Sequence, residues 1–246
     1  MLVKLKRVRS HYEDRKLALC LATSAGLLNA VALGAFGLFP SHMSGNISQL
    51  PGDLSGHDLW HLRMFAAMIA VFIAGSVIAR IGIAAGIRNG IRTIFSCLLL
   101  AEGVMLILTS LFEVYFYSPA NNAEVVLLLA FLMGLHNSTS TQLSDGRVRA
   151  THITGTLTDA GIAAGSLLGG WLRREQHLTF STSKLQLSTH LLTVCSFLGG
   201  GMAGMLLYRT MGFSALAVPG MVLVSTALLS IAFTLYRTRK SRFIMP

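Results

Sequence analysis

A carboxylate in the middle of an apolar run is the first group in this chain that could do chemistry. Glu102 sits within Leu98-Leu-Leu-Ala-Glu102-Gly-Val-Met-Leu, and desolvation there disfavours its charged form, so it must be paired, hydrated or protonated. An ionisable group in such a place is a candidate for coupling to a proton or a cation. The plainer alternative is a neutral acid bridging to a neighbouring helix. A second polar concentration is His136-Asn137-Ser138-Thr139-Ser140-Thr141-Gln142, which follows the apolar stretch Val125–Leu135. That stretch covers only about half the hydrocarbon thickness of a bilayer at about 1.5 Å per residue. The polar half must therefore line a water-filled cavity or be buried among helices. Ser, Thr and Asn also bridge helices for a modest gain, so a lined pathway and simple bridging both fit.

The third feature is a motif that occurs twice. Ser41-His42-Met43-Ser44-Gly45-Asn46-Ile47-Ser48 matches Thr151-His152-Ile153-Thr154-Gly155-Thr156-Leu157-Thr158 in residue type at every position. Ser44 and Thr154 are read as N-caps of short helices, and Asp159 suits a helix start. A helix N-terminus can hold an anionic group, so Ser44, Asn46, Thr154, Thr156, Thr158 and Asp159 form a candidate pair of polar gates. The structural alternative is a cap ending each kinked helix. Asn29 and Asn137, in the matched stretches Gly26-Leu27-Leu28-Asn29 and Gly134-Leu135-His136-Asn137, should approach the midplane from opposite sides. With Glu102 and His136 they complete the set of candidate pathway residues. His42 and His152 invite a metal reading, but symmetry should place them near opposite faces, and zinc wants convergent ligands. No Walker A loop, His-Glu-x-x-His sequence or Gly-x-Ser-x-Gly elbow occurs. No cofactor or metal is expected.

These residues need elements to carry them, and composition says which. Of 246 residues, 53% are hydrophobic and 12% charged, about half the charge of a soluble chain. Lipid is the expected solvent for most of the surface. The net charge of +10 does not point to nucleic acid, because the basic residues punctuate apolar runs instead of covering one soluble face. Cys20, Cys97 and Cys195 lie singly in apolar stretches and read as small hydrophobes.

Six runs are long enough to span a bilayer: Leu17–Leu38, Leu62–Ile83, Ile94–Tyr115, Val125–Gln142, Leu187–Tyr208 and Ser214–Tyr236. The basic segment from Lys4 to Arg9 precedes the first, which is too long for a signal-peptide core and reads as a retained anchor. With the N-terminus inside, eighteen of the twenty Lys and Arg residues fall on the cytoplasmic side, leaving Arg63 and Arg209 outside. Basic residues favour that side. Ile153–Leu172 is long enough to be a seventh span, but its polar start and five glycines argue for a short extra helix lying on the bilayer or dipping into it.

The matched segments divide the chain at residue 118. Ala74-Gly75 followed by Arg80 also matches Ala203-Gly204 followed by Arg209. Three spans per half is an odd number, so residues 1–118 and 119–246 should be inverted repeats about an axis in the membrane plane. The expected fold is all-α and polytopic, with six transmembrane helices in two inverted three-helix repeats.

Ser44-Gly45-Asn46, His152-Ile-Thr154-Gly155-Thr156-Leu157-Thr158-Asp159 and Gly134-Leu135-His136-Asn137 resemble the YoaK-like family of bacterial inner-membrane proteins, a domain of unknown function. The resemblance covers nearly the whole chain, although that family more often carries Gln where His136 stands. It implies a six-helix membrane fold and supplies no reaction or substrate. Function then rests on the residues. The leading reading is an inner-membrane permease or channel-like transporter for a small polar or anionic solute, with both termini cytoplasmic. The alternatives are a membrane enzyme acting on a lipid-linked substrate, with Glu102 or His136 as acid/base, and a non-catalytic partner docking through its basic termini. The partners expected are the lipid bilayer, a small polar solute or proton, and a second copy of the chain.

Overall fold

The computed structural model describes residues 11–173 and 178–242. The basic run from Lys4 to Arg9, and Arg174, lie outside the described residues. Those described form eight α-helices and no strand: α1 (His11–Phe36), α2 (Met43–Ser55), α3 (Leu59–Arg88), α4 (Ile94–Phe116), α5 (Asn122–Leu143), α6 (Ile153–Arg173), α7 (Leu178–Met211) and α8 (Ala217–Arg242). Single 3-10 turns, Pro119–Asn121 and Gly212–Leu216, precede α5 and α8.

Five stretches among the described residues are long and apolar enough to cross a membrane: Arg15–Phe36, Leu59–Arg88, Ile94–Phe116, Pro119–Leu143 and Ser181–Tyr236. The fifth takes in α7, the turn Gly212–Leu216 and α8 together, where the sequence reading separates two spans. The extra helix after the fourth expected span is not short. α6 has 21 residues, and its glycines do not break it because it packs along α7, a tertiary contact that overrides propensity.

Local chemistry sets the boundaries. Asp58 caps α3, its carboxylate accepting from the His61 backbone N–H at 3.1 Å and from His61 Nδ1 at 2.7 Å. Those donations hold the Asp58 carboxyl below its ordinary range. Gly37 and Gly146, just past the ends of α1 and α5, have φ of 73° and 83°. This left-handed conformation lets the chain turn back sharply where another residue would be strained.

Packing is by pairs. α1 lies along α7, α3 along α5, and α4 crosses α8. In the first two pairs the backbones touch. A Cβ on Gly26 would fall on the Phe197 carbonyl oxygen and one on Gly200 on that of Thr23; likewise Gly134 meets Phe72 and Gly75 meets Phe131. Small residues are what allow helices this close. In the third pair a Cβ on Gly103 would stand 2.7 Å from the Gly220 carbonyl oxygen, and one on Gly220 2.7 Å from that of Gly103.

These contacts shift the register inferred from sequence. Phe72 and Phe197 are separated by 125 residues, as are Gly75 and Gly200, so Gly75 corresponds to Gly200 and not to Gly204. The correction is one helical turn. At the same spacing Met205, not Arg209, stands in its seam where Arg80 stands in the other. The run Gly199-Gly200-Gly201 with Gly204 offers more than one small-residue match, and only backbone contact selects among them.

The contacts also fix directions. Ser138 Oγ donates to the Ser76 carbonyl at 3.1 Å and Arg80 donates to Gln142 Oε1 at 2.8 Å, so α3 and α5 run parallel. Gly200 against Thr23 and Gly204 against Leu27 make α7 parallel to α1. Ser96 Oγ lies 3.1 Å from Ser230 Oγ and Ser110 Oγ donates to the Phe213 carbonyl at 3.0 Å, so α8 is antiparallel to α4. Cys20 beside Thr226 and Phe36 beside Phe213 make α8 antiparallel to α1 as well. Short turns reverse the chain between α3, α4 and α5. Hence α1, α4 and α7 point one way, and α3, α5 and α8 the other.

α1 and α5 supply much of the core, including Leu21, Leu28, Leu129 and Met133. Outside, Ile73, Val77 and Ile81 on α3 and Leu198, Met202 and Leu206 on α7 are exposed at helical spacing. Continuous apolar surface of this kind suits acyl chains better than water.

Candidate functional site

The site is built from two equivalent turns. After α1 ends at Phe36 the chain folds back, and Asn29 Oδ1 accepts from Ser41 Oγ at 2.9 Å and from the Ser41 backbone N–H at 3.3 Å. Asn29 Nδ2 donates to the Ala25 carbonyl at 2.9 Å. After α5 the same arrangement recurs. Asn137 Oδ1 accepts from Thr151 Oγ1 at 2.8 Å and from the Thr151 N–H at 3.3 Å, while Asn137 Nδ2 donates to Met133 O at 3.1 Å. Asn29 lies seven residues before the end of α1, about 10 Å back along its axis. Each turn therefore re-enters the helix layer before the next helix begins. In both turns a histidine ring, His42 or His152, covers a glycine, Gly45 or Gly155, where a Cβ would collide with it.

α1 and α5 are antiparallel, so the turns enter from opposite ends of the bundle. They meet at a cavity of about 940 Å³. Asn29, Ser41, His42 and Ser44 line it from one turn, and Asn137, Thr151, His152 and Thr154 from the other. Phe72 and Phe197, whose carbonyls meet Gly134 and Gly26 in the same way, form part of its wall together with Phe39. Arg149 contributes a cationic group, and no Asp or Glu is among the lining residues.

The expected pathway residues divide into four groups. Asn29, Ser44, Asn137, Thr154 and Thr158 line this cavity. Asn46 and Thr156 are buried behind it, Asn46 Nδ2 approaching Met68 Sδ at 3.8 Å and Thr156 Oγ1 donating to the His152 carbonyl at 3.0 Å. Asp159 is exposed on α6 and does not line the cavity. Ser44 is not an N-cap: His42 occupies that position in α2, without a side-chain cap bond. Thr154 likewise stands inside α6, which starts at Ile153. The reason is that the asparagine oxygens, not these hydroxyls, hold the turns. His42 and His152 enter from opposite ends as expected, yet both reach the same cavity. Among the described residues no group of three or more His, Cys, Asp or Glu side chains is arranged to hold a metal ion.

Glu102 and His136 lie apart from the cavity and bind each other. Glu102 is 1% exposed and His136 fully buried. Nδ1 of His136 lies 2.8 Å and 3.1 Å from the two Glu102 carboxyl oxygens, and its Nε2 donates to the Leu21 carbonyl at 3.2 Å. The pair ties α5 to α4 and α1 at once. Of the rest of the polar half of α5, Thr139 and Ser140 are buried among helices, Thr139 Oγ1 without a hydrogen-bond partner, and Thr141 joins Asn137 at the cavity.

Sequence reasoning missed four residues. Arg149 signals only orientation in the sequence, although it follows the end of α5 by a few residues. Phe72 and Phe197 carry no signal until the register is known. Glu113 is also buried in α4, and neither of its carboxyl oxygens has a hydrogen-bond partner; its place near the end of an apolar run disguises it as a boundary residue.

Residues 17–229 match a family model described as "Protein of unknown function (DUF1275)". No curated protein and no solved structure matches the chain.

Proposed function

Since the chain belongs to the DUF1275 family, whose description assigns no activity and with which the YoaK-like resemblance is consistent, we propose from the site itself that this protein is a bacterial inner-membrane permease for a small polar solute, preferentially an anion. The observation that carries the reading is the cavity where two equivalent asparagine-held turns meet. Its volume, about 940 Å³, lies in the range of small-molecule sites. Transporters built from inverted repeats place their sites between the halves, at interrupted helices. Arg149, the backbone N–H groups opening α2 and α6, and the lack of a lining carboxylate make the cavity electropositive.

The topology that goes with this function has six spans, α1, α3, α4, α5, α7 and α8, in two inverted halves with both termini cytoplasmic. The alternating helix directions support it. So does length: the 56-residue stretch Ser181–Tyr236 would extend roughly 80 Å as one helix, against a hydrocarbon core of about 30 Å. Impermeant thiol labelling in inverted and right-side-out vesicles tests this, after replacing the three native cysteines. Cysteines at Asn89 and Thr210, ending α3 and α7, are expected to react from opposite faces. Reaction from one face contradicts the inversion.

The function is tested with purified protein in liposomes and radiolabelled acetate, phosphate, glutamate, alanine and glycerol. Uptake of at least one anion above protein-free vesicles is expected. R149Q should weaken apparent affinity for that anion by about tenfold or more, the loss of one charge-assisted contact. No uptake by a protein shown to be folded contradicts the permease reading. Anion uptake unaffected by R149Q contradicts the placement of the solute.

A further inference from the structure

The donor and acceptor inventory of the buried pair fixes a proton count. The Leu21 carbonyl can only accept, so His136 Nε2 carries a hydrogen. The contact of 2.8 Å between His136 Nδ1 and Glu102 then needs one further proton between them. It sits either on Nδ1, facing a carboxylate, or on the carboxyl, facing a neutral imidazole. Both forms have zero net charge and one bridging proton. Without it, an imidazole lone pair faces a carboxylate, and a buried negative charge is left uncompensated, which is strongly unfavourable.

We infer that Glu102 and His136 form a buried proton-binding site whose single bridging proton is taken up and released as α5 moves, making the permease proton-coupled. This deepens the proposed function and rests on it for the coupling, though not for the proton site. His136 and Asn137 are successive residues of α5, about 100° apart around its axis. One is tied to α4 and α1, the other lines the cavity. A displacement of α5 that reshapes the cavity must also stretch the Glu102–His136 bond. Once water enters, it accepts the bridging proton, leaving a carboxylate and a neutral imidazole; closure takes a proton back from the side then open.

The other titratable and charged groups on the helices around this pair are these. On α1, Cys20 adjoins Leu21 with its Sγ 3.3 Å from Thr226 Oγ1, Lys16 Nζ lies over the Tyr12 ring at 4.5 Å, and half-buried Arg15 stands six residues before Leu21. On α4, Glu113 lies three turns away, and Cys97 is exposed. On α3, Arg80 is engaged by Gln142, six residues beyond His136 on α5, and Glu124 is in the first turn of α5, twelve residues before His136. On α8, the basic residues begin only at Arg237.

E102Q separates this proposal from a structural role. A glutamine amide can donate to His136 Nδ1, so the variant keeps the helix tie with a proton that cannot leave. In lipid nanodiscs with 15N-labelled histidine, wild-type His136 should stay unchanged where exposed histidines titrate, then change in one step at higher pH. E102Q should show no step. If His136 titrates with the exposed histidines, or E102Q keeps the alkaline step, the proton site is wrong. A second arm uses liposomes enclosing a pH-sensitive dye and the same five solutes. Wild type should move protons with the transported solute, and E102Q should lose most of that movement. Solute flux with no proton flux overturns the coupling while leaving the permease reading intact. If no solute moves, the permease reading fails, and the nanodisc titration still decides the proton site.

Discussion

Alanine at Gly134 is expected to destabilise the protein by about 3 kcal/mol, the upper end of the range for overpacking a close contact. The added Cβ would fall on the Phe72 carbonyl oxygen, which belongs to the backbone of α3 and cannot rotate aside as a side chain would. Relief requires α3 and α5 to separate, which also stretches the hydrogen bond from Ser76 Oγ to the Gly134 carbonyl, 3.0 Å in the native pair. Gly26→Ala should cost about as much, since it meets the Phe197 carbonyl in the same way across α1 and α7. The two changes act on separate seams, so their effects should nearly add. Gly161→Ala in α6 is the control: nothing stands within 4 Å of the place its Cβ would take, so removing a helical glycine should be neutral or stabilising by up to about 1 kcal/mol. Thermal denaturation midpoints in one detergent check all four proteins. A Gly134→Ala protein as stable as Gly161→Ala would mean the seams are looser than the contacts indicate.

These seams show what can be read from the chain and what cannot. Apolar runs between charged turns identify helices because lipid and water demand opposite side chains, so every expected span coincides with a helix. Asn29 and Asn137 are legible as a pair because each stands at one depth in a repeated stretch, and the polar half of α5 could not face acyl chains. The partner of Gly75 is not legible. Gly200 and Gly204 are both small, and only the approach of a facing carbonyl distinguishes them. The role of Ser44 is misleading for a related reason. A hydroxyl near a helix start suggests a cap, but the oxygen that holds the turn comes from Asn29, twelve residues before Ser41. Glu102 announces itself as a buried acid, while its partner His136 looks like part of the polar run on another span. A contact between distant segments leaves no local spacing to read.

Asn137→Asp should leave the protein folded and abolish anion uptake, whereas Asn137→Ala should weaken the fold as well. The aspartate keeps an oxygen where Oδ1 stands, so it can still accept from Thr151 Oγ1 and the Thr151 N–H. It loses the donation from Nδ2 to the Met133 carbonyl and sets a second oxygen beside that carbonyl, a repulsion that lowers the melting midpoint but leaves the acceptor that holds the turn; the carbonyl itself retains its place in the helix ladder. What changes is the sign of the cavity: a carboxylate appears where none lines it now, in the cavity that Arg149 and the openings of α2 and α6 share. Alanine instead removes the acceptor and leaves the Thr151 N–H without it, at a cost of about 1–3 kcal/mol if that donor stays buried. Asn29→Asp should behave like Asn137→Asp, because Asn29 makes the matching bonds to Ser41. Melting midpoints and anion uptake measured on the same preparations separate the two effects. An Asn137→Asp protein that is stable and still carries the anion at the wild-type rate would show that the solute does not pass between the two asparagines, and the cavity would lose its place in transport.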